Sequence, residues 1–272
     1  MQVTGITVQE LEDLLEQPEY KAFKRLNYKE LSDELFDGVK IAERVITFGQ
    51  GIITLFDDLM RQTKRIPTQK EYINAGMVIC EKFWKEQQYT LNTINGYPFT
   101  KGVKLGCMNR LARTYTSKIV ELHLELLLKE LGFKVMTHPL IDSIMGVDIV
   151  AEDDYKRYYI HVTTSSKGHY QAEKSVMAKE KRGKFKVGDA WVVYGRDFKK
   201  DCILCYEYGM QFSDGSTKWI NNNPVFTKEY IEHYFSLRKC TDARGELLTN
   251  PNSKLDYFKA WAEANLKVQI TL

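Results

Sequence analysis

Thirty-nine basic residues stand against thirty-six acidic ones in a chain of 272, so the formal charge is only +3. So small an excess does not by itself mark a polyanion-binding protein, although a cleft can gather basic groups without moving the total. Cysteine is scarce too. The five, Cys80, Cys107, Cys202, Cys205 and Cys240, are odd in number and scattered, which speaks against a disulfide framework. Cys202 and Cys205 have the spacing of half a zinc site, but no second CxxC or CxxH completes four ligands. They lie in the apolar run CILCYEYG, which reads as a strand sending the two thiols to opposite faces. No apolar run approaches transmembrane length and the start, MQVTGITVQELEDLL, has no basic-then-apolar leader, so a soluble, cytoplasmic protein is expected. No internal repeat, low-complexity tract, P-loop, GxGxxG, GxSxG elbow or HExxH is present, which leaves those nucleotide-binding, serine-hydrolase and zinc-peptidase chemistries without support.

What is present suits a packed core: 43% hydrophobic and 12% aromatic residues, in a length that fits one large domain or two small ones. Residues 1–115 read as a helical region. VQELEDLLEQ repeats apolar positions at helical spacing until Pro18. Residues 28–48 and 50–62 predict two more helices, parted near Gly49-Gln50-Gly51, and Pro67 with a Thr68/Glu71 capping box opens a fourth over 67–88. This region is either a subdomain that grips DNA or a cap on the remainder. Residues 92–114 read as a Gly-rich, basic connection. Its Lys101, Lys104, Arg110 and Arg113 can reach backbone phosphates, or simply line a solvated linker.

Residues 116–272 predict an α/β core. TSKIVELHLELLLKELGFKV gives a helix capped by Thr116 and ended by Gly132, then a short strand. GVDIVAEDDYKRYYIHVTTSSK predicts two strands joined by a charged turn, with Asp148 on the first and His161 and Thr163 on one face of the second. A basic helix, QAEKSVMAKEKRGKFK, and a buried-looking strand, GDAWVVYG, follow. Beyond them, Ser213-Asp214-Gly215-Ser216 reads as a turn between antiparallel strands. Asn221, Asn222 and Asn223 are loop residues or, for Asn222, a reader of adenine. A helix over TKEYIEHYFSLR and a terminal helix carrying Trp261 complete the chain.

The order helix, strand, strand, strand, helix, strand, with GVDIV before the second hairpin strand, resembles the core of the PD-(D/E)XK nuclease superfamily. More narrowly, GVDIV…HVTTSSK…AEK is similar to restriction endonucleases of the TaqI kind. The resemblance covers about residues 115–200 and implies a restriction-endonuclease-like fold, a mixed central sheet flanked by helices. It implies a Mg²⁺-dependent (or Mn²⁺-dependent) endonuclease on double-stranded DNA, of the site-specific type II kind and acting as a homodimer. In that family a strand acid, a helix acid and the carbonyl inside the acid-x-Lys triplet hold metal, roles that fall to Asp148, Glu121 and Val162. The triplet itself departs from the pattern, being His161-Val162-Thr163. Neutral His161 can accept a proton from water or take a metal; otherwise His161 and Thr163 only satisfy hydrogen bonds. The missing lysine has two candidate replacements, Lys167 and Lys174. Glu125 shares the Glu121 face, and His123 lies off it and reads as structural. The rival expectation is a non-catalytic DNA-binding or interaction protein on a degenerate nuclease core.

Overall fold

The computed structural model describes residues 5–24, 26–46, 51–87, 96–137, 147–164, 174–175, 177–178, 184–187, 190–193, 201–206, 216–239 and 246–247. The chain divides into two compact units: Met1–Ile119 with Ile220–Asn223, and Val120–Trp219 with Pro224–Leu272. No helix among the described residues is long and apolar enough to cross a membrane.

The first unit is helical. α1 (Val8–Glu16) starts at a reciprocal cap: the Glu10 amide donates to the Thr7 hydroxyl, and the Thr7 amide to the Glu10 carboxylate. Pro18 opens a single 3₁₀ turn, Pro18–Tyr20, that ends the run. α2 (Asp33–Val45) and α3 (Ile52–Thr63) are parted at Gly51, whose φ of 77° suits glycine. α4 (Gln69–Gln87) carries the expected capping box, with the Thr68 amide 2.8 Å from the Glu71 carboxylate and the Glu71 amide 3.3 Å from the Thr68 hydroxyl. Phe56, Tyr72 and Tyr115 meet in the core with ring centroids 5.8–6.2 Å apart.

The basic segment departs from its sequence reading. Residues 101–114 are not a connection. They begin α5, one helix from Lys101 to Glu130. Thr116 is not its cap, because its hydroxyl donates to the Ala112 carbonyl at 3.0 Å inside the helix. The cap is Thr100, whose hydroxyl accepts the Val103 amide at 3.3 Å. The glycines that suggested a loop serve a close helix crossing instead. A Cβ on Gly38 of α2 would lie 2.8 Å from the Gly102 backbone, and one on Gly106 would lie 2.8 Å from Val39 Cα.

The second unit is built on a mixed sheet. α5 ends in a Schellman motif at Gly132 (φ 84°): the Phe133 amide donates to the Leu128 carbonyl and the Gly132 amide to that of Lys129, both at 3.0 Å. β1 (Lys134–Met136), β2 (Ile149–Glu152) and β3 (Lys156–Thr163) form an antiparallel meander. Among the described residues, β4 (Lys184–Val187) and β5 (Ala190–Val193) pair only with each other. The strand expected from GDAWVVYG is therefore a hairpin arm, and the strand that joins β3 in parallel is β6 (Cys202–Cys205). Both runs are apolar enough for a sheet. A partner two residues away closes a far shorter loop than the main sheet would require. β7 (Thr217–Ile220) and β8 (Asn223–Phe226) form a second two-stranded pair, followed by α6 (Lys228–Lys239). β9 (Glu246–Leu247) pairs with the start of β3. Phe133, Tyr158 and Phe235 pack with ring centroids 5.1–5.9 Å apart on one side of the meander, Tyr158 edge to face with both phenylalanines. The result is a mixed α/β protein, as expected. The Ser213–Gly215 turn, Lys167 and the terminal helix with Trp261 lie outside the described residues.

Candidate functional site

The face of the sheet opposite the Tyr158 cluster carries polar groups at both ends of an apolar middle of Val150, Tyr159 and Ile203. Near its start, Arg157 and Glu152 stand directly across from each other as a buried ion pair. At its other end the last register pair is Ile149 with Ile160, and Asp148, expected on the strand, lies one residue before β2. The Asp148 amide donates to the Ile160 carbonyl at 3.0 Å. Its carboxylate Oδ2 then accepts the Val162 amide at 2.6 Å. The side chain thus stands in for the next backbone carbonyl, ends the β2 ladder and is held in one orientation.

His161 is buried on this face. Its Nε2 lies 2.8 Å from Asp201 Oδ2, and the side chains are only 10% and 1% exposed. Asp201 directly precedes β6, whose parallel register sets His161 level with Ile203. Asp201 is two residues before Ile203, so it shares the His161 face. Thr163 is half-buried on the same face, and its carbonyl accepts the Tyr206 amide at 2.8 Å. Cys202 and Cys205 fall on opposite faces of β6, as their strand reading expects, and neither is in a disulfide among the described residues.

Val162 meets Asp148 through its amide, whereas the sequence reading used its carbonyl. The two are compatible, since the amide and carbonyl of a strand residue point to the same edge. Glu121 on α5 is half-buried. Glu125 is engaged elsewhere, accepting Lys129 at 2.6 Å and the Thr137 hydroxyl at 2.9 Å. His123 is fully buried. Among the described residues, no three or more His, Cys, Asp or Glu side chains come together as a set that could hold a metal. Glu121 therefore does not complete a three-residue centre with Asp148. Lys174 is exposed on a helical stretch.

The expected DNA contacts divide. Lys101 and Lys104 are exposed, and Lys104 Nζ lies 5.6 Å from the centre of the Phe99 ring. Arg110 donates to the Glu43 carbonyl, and Arg113 to Glu43 Oε1, each at 3.1 Å. That same oxygen accepts the Tyr28 hydroxyl at 2.6 Å and Asn109 at 3.0 Å, so both arginines brace α2 against α5. Asn221 and Asn222, with φ of 47° and 67°, form the tip between β7 and β8, where asparagine tolerates the left-handed region. Asn221 Nδ2 donates to the Leu15 carbonyl at 2.9 Å, Asn222 to that of Ala22 at 3.1 Å, and Asn223 to that of Tyr20 at 2.9 Å. The asparagine run closes the end of α1.

No family model, curated protein or solved structure matches the chain significantly.

The chemistry therefore rests on the geometry alone. The sheet offers an oriented carboxylate, Asp148, and a buried imidazole–carboxylate pair, His161 and Asp201. Asp201 was not among the residues picked out in the sequence. The one local signal is a charged residue at the foot of an apolar run, KKDCILC. Its partner lies forty residues away, and only the β3–β6 pairing joins them.

Proposed function

We propose that the chain is a metal-dependent endonuclease that hydrolyses phosphodiester bonds in double-stranded DNA, of the sequence-specific type II kind and working as a homodimer. The observation that carries this reading is the Asp148 carboxylate, fixed on the amide of Val162, the residue after His161 in β3. The order of elements supports it: a long helix, an antiparallel three-strand meander, then a strand parallel to β3. The PD-(D/E)XK resemblance implies that order with GDAWVVYG as the fourth strand, whereas here the β4–β5 hairpin comes before the parallel strand.

The donor set suits Mg²⁺ or Mn²⁺. Both are hard cations that take oxygen ligands, and Mg²⁺ keeps several waters, so one carboxylate and one backbone carbonyl suffice beside a substrate phosphate. Asp148 and the Val162 carbonyl are those protein oxygens, with Glu121 the further acid the resemblance implies. When bound, such an ion polarises the phosphoryl oxygen and makes a bound water more acidic. The protein's part is to orient that centre through the Asp148–Val162 bond, and to take a proton from the attacking water at the His161 ring. Thr163 lines the same face. A cation near the phosphate comes from Lys174 or Lys167, and Lys101 and Lys104 position the duplex through its backbone.

The absence of a three-acid cluster among the described residues favours a second reading, a DNA-binding protein on a nuclease core that no longer cuts. One experiment separates them. The purified protein is incubated with plasmid DNA and Mg²⁺ or Mn²⁺. Discrete fragments support the endonuclease, retarded but uncut DNA supports the binding protein, and neither outcome in any buffer overturns both.

A further inference from the structure

We propose that Asp201 is a positioning residue for His161: it holds the proton on Nε2 and makes Nδ1 the basic nitrogen of the ring. The catalytic half of this inference rests on the reading of His161 as the base; the tautomer half does not.

The geometry is specific. The Nε2–Oδ2 separation of 2.8 Å is a full hydrogen bond, and the two side chains are almost wholly removed from solvent. An ionised carboxylate only accepts hydrogen bonds, so the ring nitrogen facing it must carry the proton. In a neutral ring the remaining nitrogen, Nδ1, then carries the lone pair. The pair is also rigidly built. His161 lies within β3, paired with Ile203, and Asp201 enters β6 directly before Cys202, which is level with Ile160. The Tyr206 amide bond to the Thr163 carbonyl, 2.8 Å, closes the same ladder at its other end. Both side chains therefore spring from backbone that the β3–β6 ladder holds or directly adjoins. A base gains the correct proton acceptor before substrate arrives.

Ring ¹⁵N spectra of the full-length protein test the tautomer at about pH 8.5, well above the usual histidine range. His161 is assigned by the loss of its signals in His161→Gln. The expected wild-type ring is protonated at Nε2 only. Asp201→Asn is nearly isosteric and can donate as well as accept, so it should shift the ring toward the Nδ1-protonated form. Its cleavage of plasmid DNA should fall about 10²- to 10⁴-fold in kcat, the usual worth of acid–base catalysis, with KM for DNA unchanged. Asp201→Glu should recover part of the rate. A wild-type ring protonated at Nδ1, alone or together with Nε2, overturns the proposal whatever the activity. So does an Asp201→Asn protein that cuts at the wild-type rate. If the wild type cuts no DNA, the endonuclease reading fails, and the wild-type spectrum alone decides whether Asp201 sets the ring.

Discussion

Replacing Asp148 by alanine and by asparagine separates its structural role from its chemistry. Its Oδ2 accepts the Val162 amide at 2.6 Å, at a half-buried position where β2 has ended. Alanine removes that acceptor and leaves a strand amide partly shielded from water, which costs about 1–3 kcal/mol. Asparagine keeps an oxygen in the same place and exchanges a charge-assisted bond for a neutral one of roughly half the strength. Its cost should therefore be smaller, about 0.5–1 kcal/mol. Urea unfolding gives the two stability changes, with an unchanged m-value showing that only stability moved. Hydrogen exchange gives the local reading. The Val162 amide should stay protected in Asp148→Asn and exchange much faster in Asp148→Ala. If Val162 is equally protected in both variants, or if asparagine destabilises as much as alanine, the carboxylate does not end the ladder as described.

Gly106→Ala should destabilise the helical unit by up to about 2 kcal/mol in urea. The usual helix gain of about 1 kcal/mol is outweighed by an overpacking cost of about 1–3 kcal/mol, because the new Cβ meets Ala42 Cβ at 2.7 Å and Val39 Cα at 2.8 Å. A stabilised variant would mean the crossing is looser than described. Arg65, with help from the Thr68 cap, holds the Glu71 carboxyl lowered to about 2 from its usual 4.5. A depressed carboxyl stabilises the fold above its unfolded range and loses that contribution as pH falls from about 4.5 toward 2, so Glu71→Gln should flatten acid unfolding there. Both side chains are largely exposed, so the effect should be under about 1 kcal/mol. Lys174→Ala should lower cleavage at saturating DNA if the lysine faces the scissile phosphate. A change confined to affinity and its salt slope makes it a positioning contact only.

The local signals were legible wherever neighbours in sequence are neighbours in space. Thr68 with Glu71 marked the start of α4, Pro18 the end of α1, and Gly132 the left-handed end of α5. The two strands around Asp148 and His161 pair as their alternation and charged turn suggested. The local misreading is Thr116, which lies inside α5 while Thr100 caps it; the other failures involve distant partners. Gly102 and Gly106 carry a loop signal in isolation, and only α2 crossing at Gly38 makes them a packing surface. Arg110 and Arg113 look free until Glu43, some seventy residues earlier, is brought beside them. The asparagine run resembles a base reader or an open loop until the end of α1 is set against it. AWVV and CILC carry the same strand pattern, and which of them extends the main sheet depends on pairing that neither run encodes. Asp201 was missed for the same reason, since strand pattern fixes its face only after β6 is known to lie beside β3.

The most direct test of the central claim is plasmid cleavage by wild type and Asp148→Asn side by side, at matched DNA and Mg²⁺ and with binding measured in the same buffer. The asparagine variant keeps the Val162 bond and hence the fold, but loses the charge that would hold the ion. Wild type should cut, and Asp148→Asn should bind DNA with similar affinity while cutting about 10²- to 10⁴-fold more slowly, several kcal/mol in the barrier. Equal cleavage by the two proteins would contradict the assignment of hydrolysis to this end of the sheet.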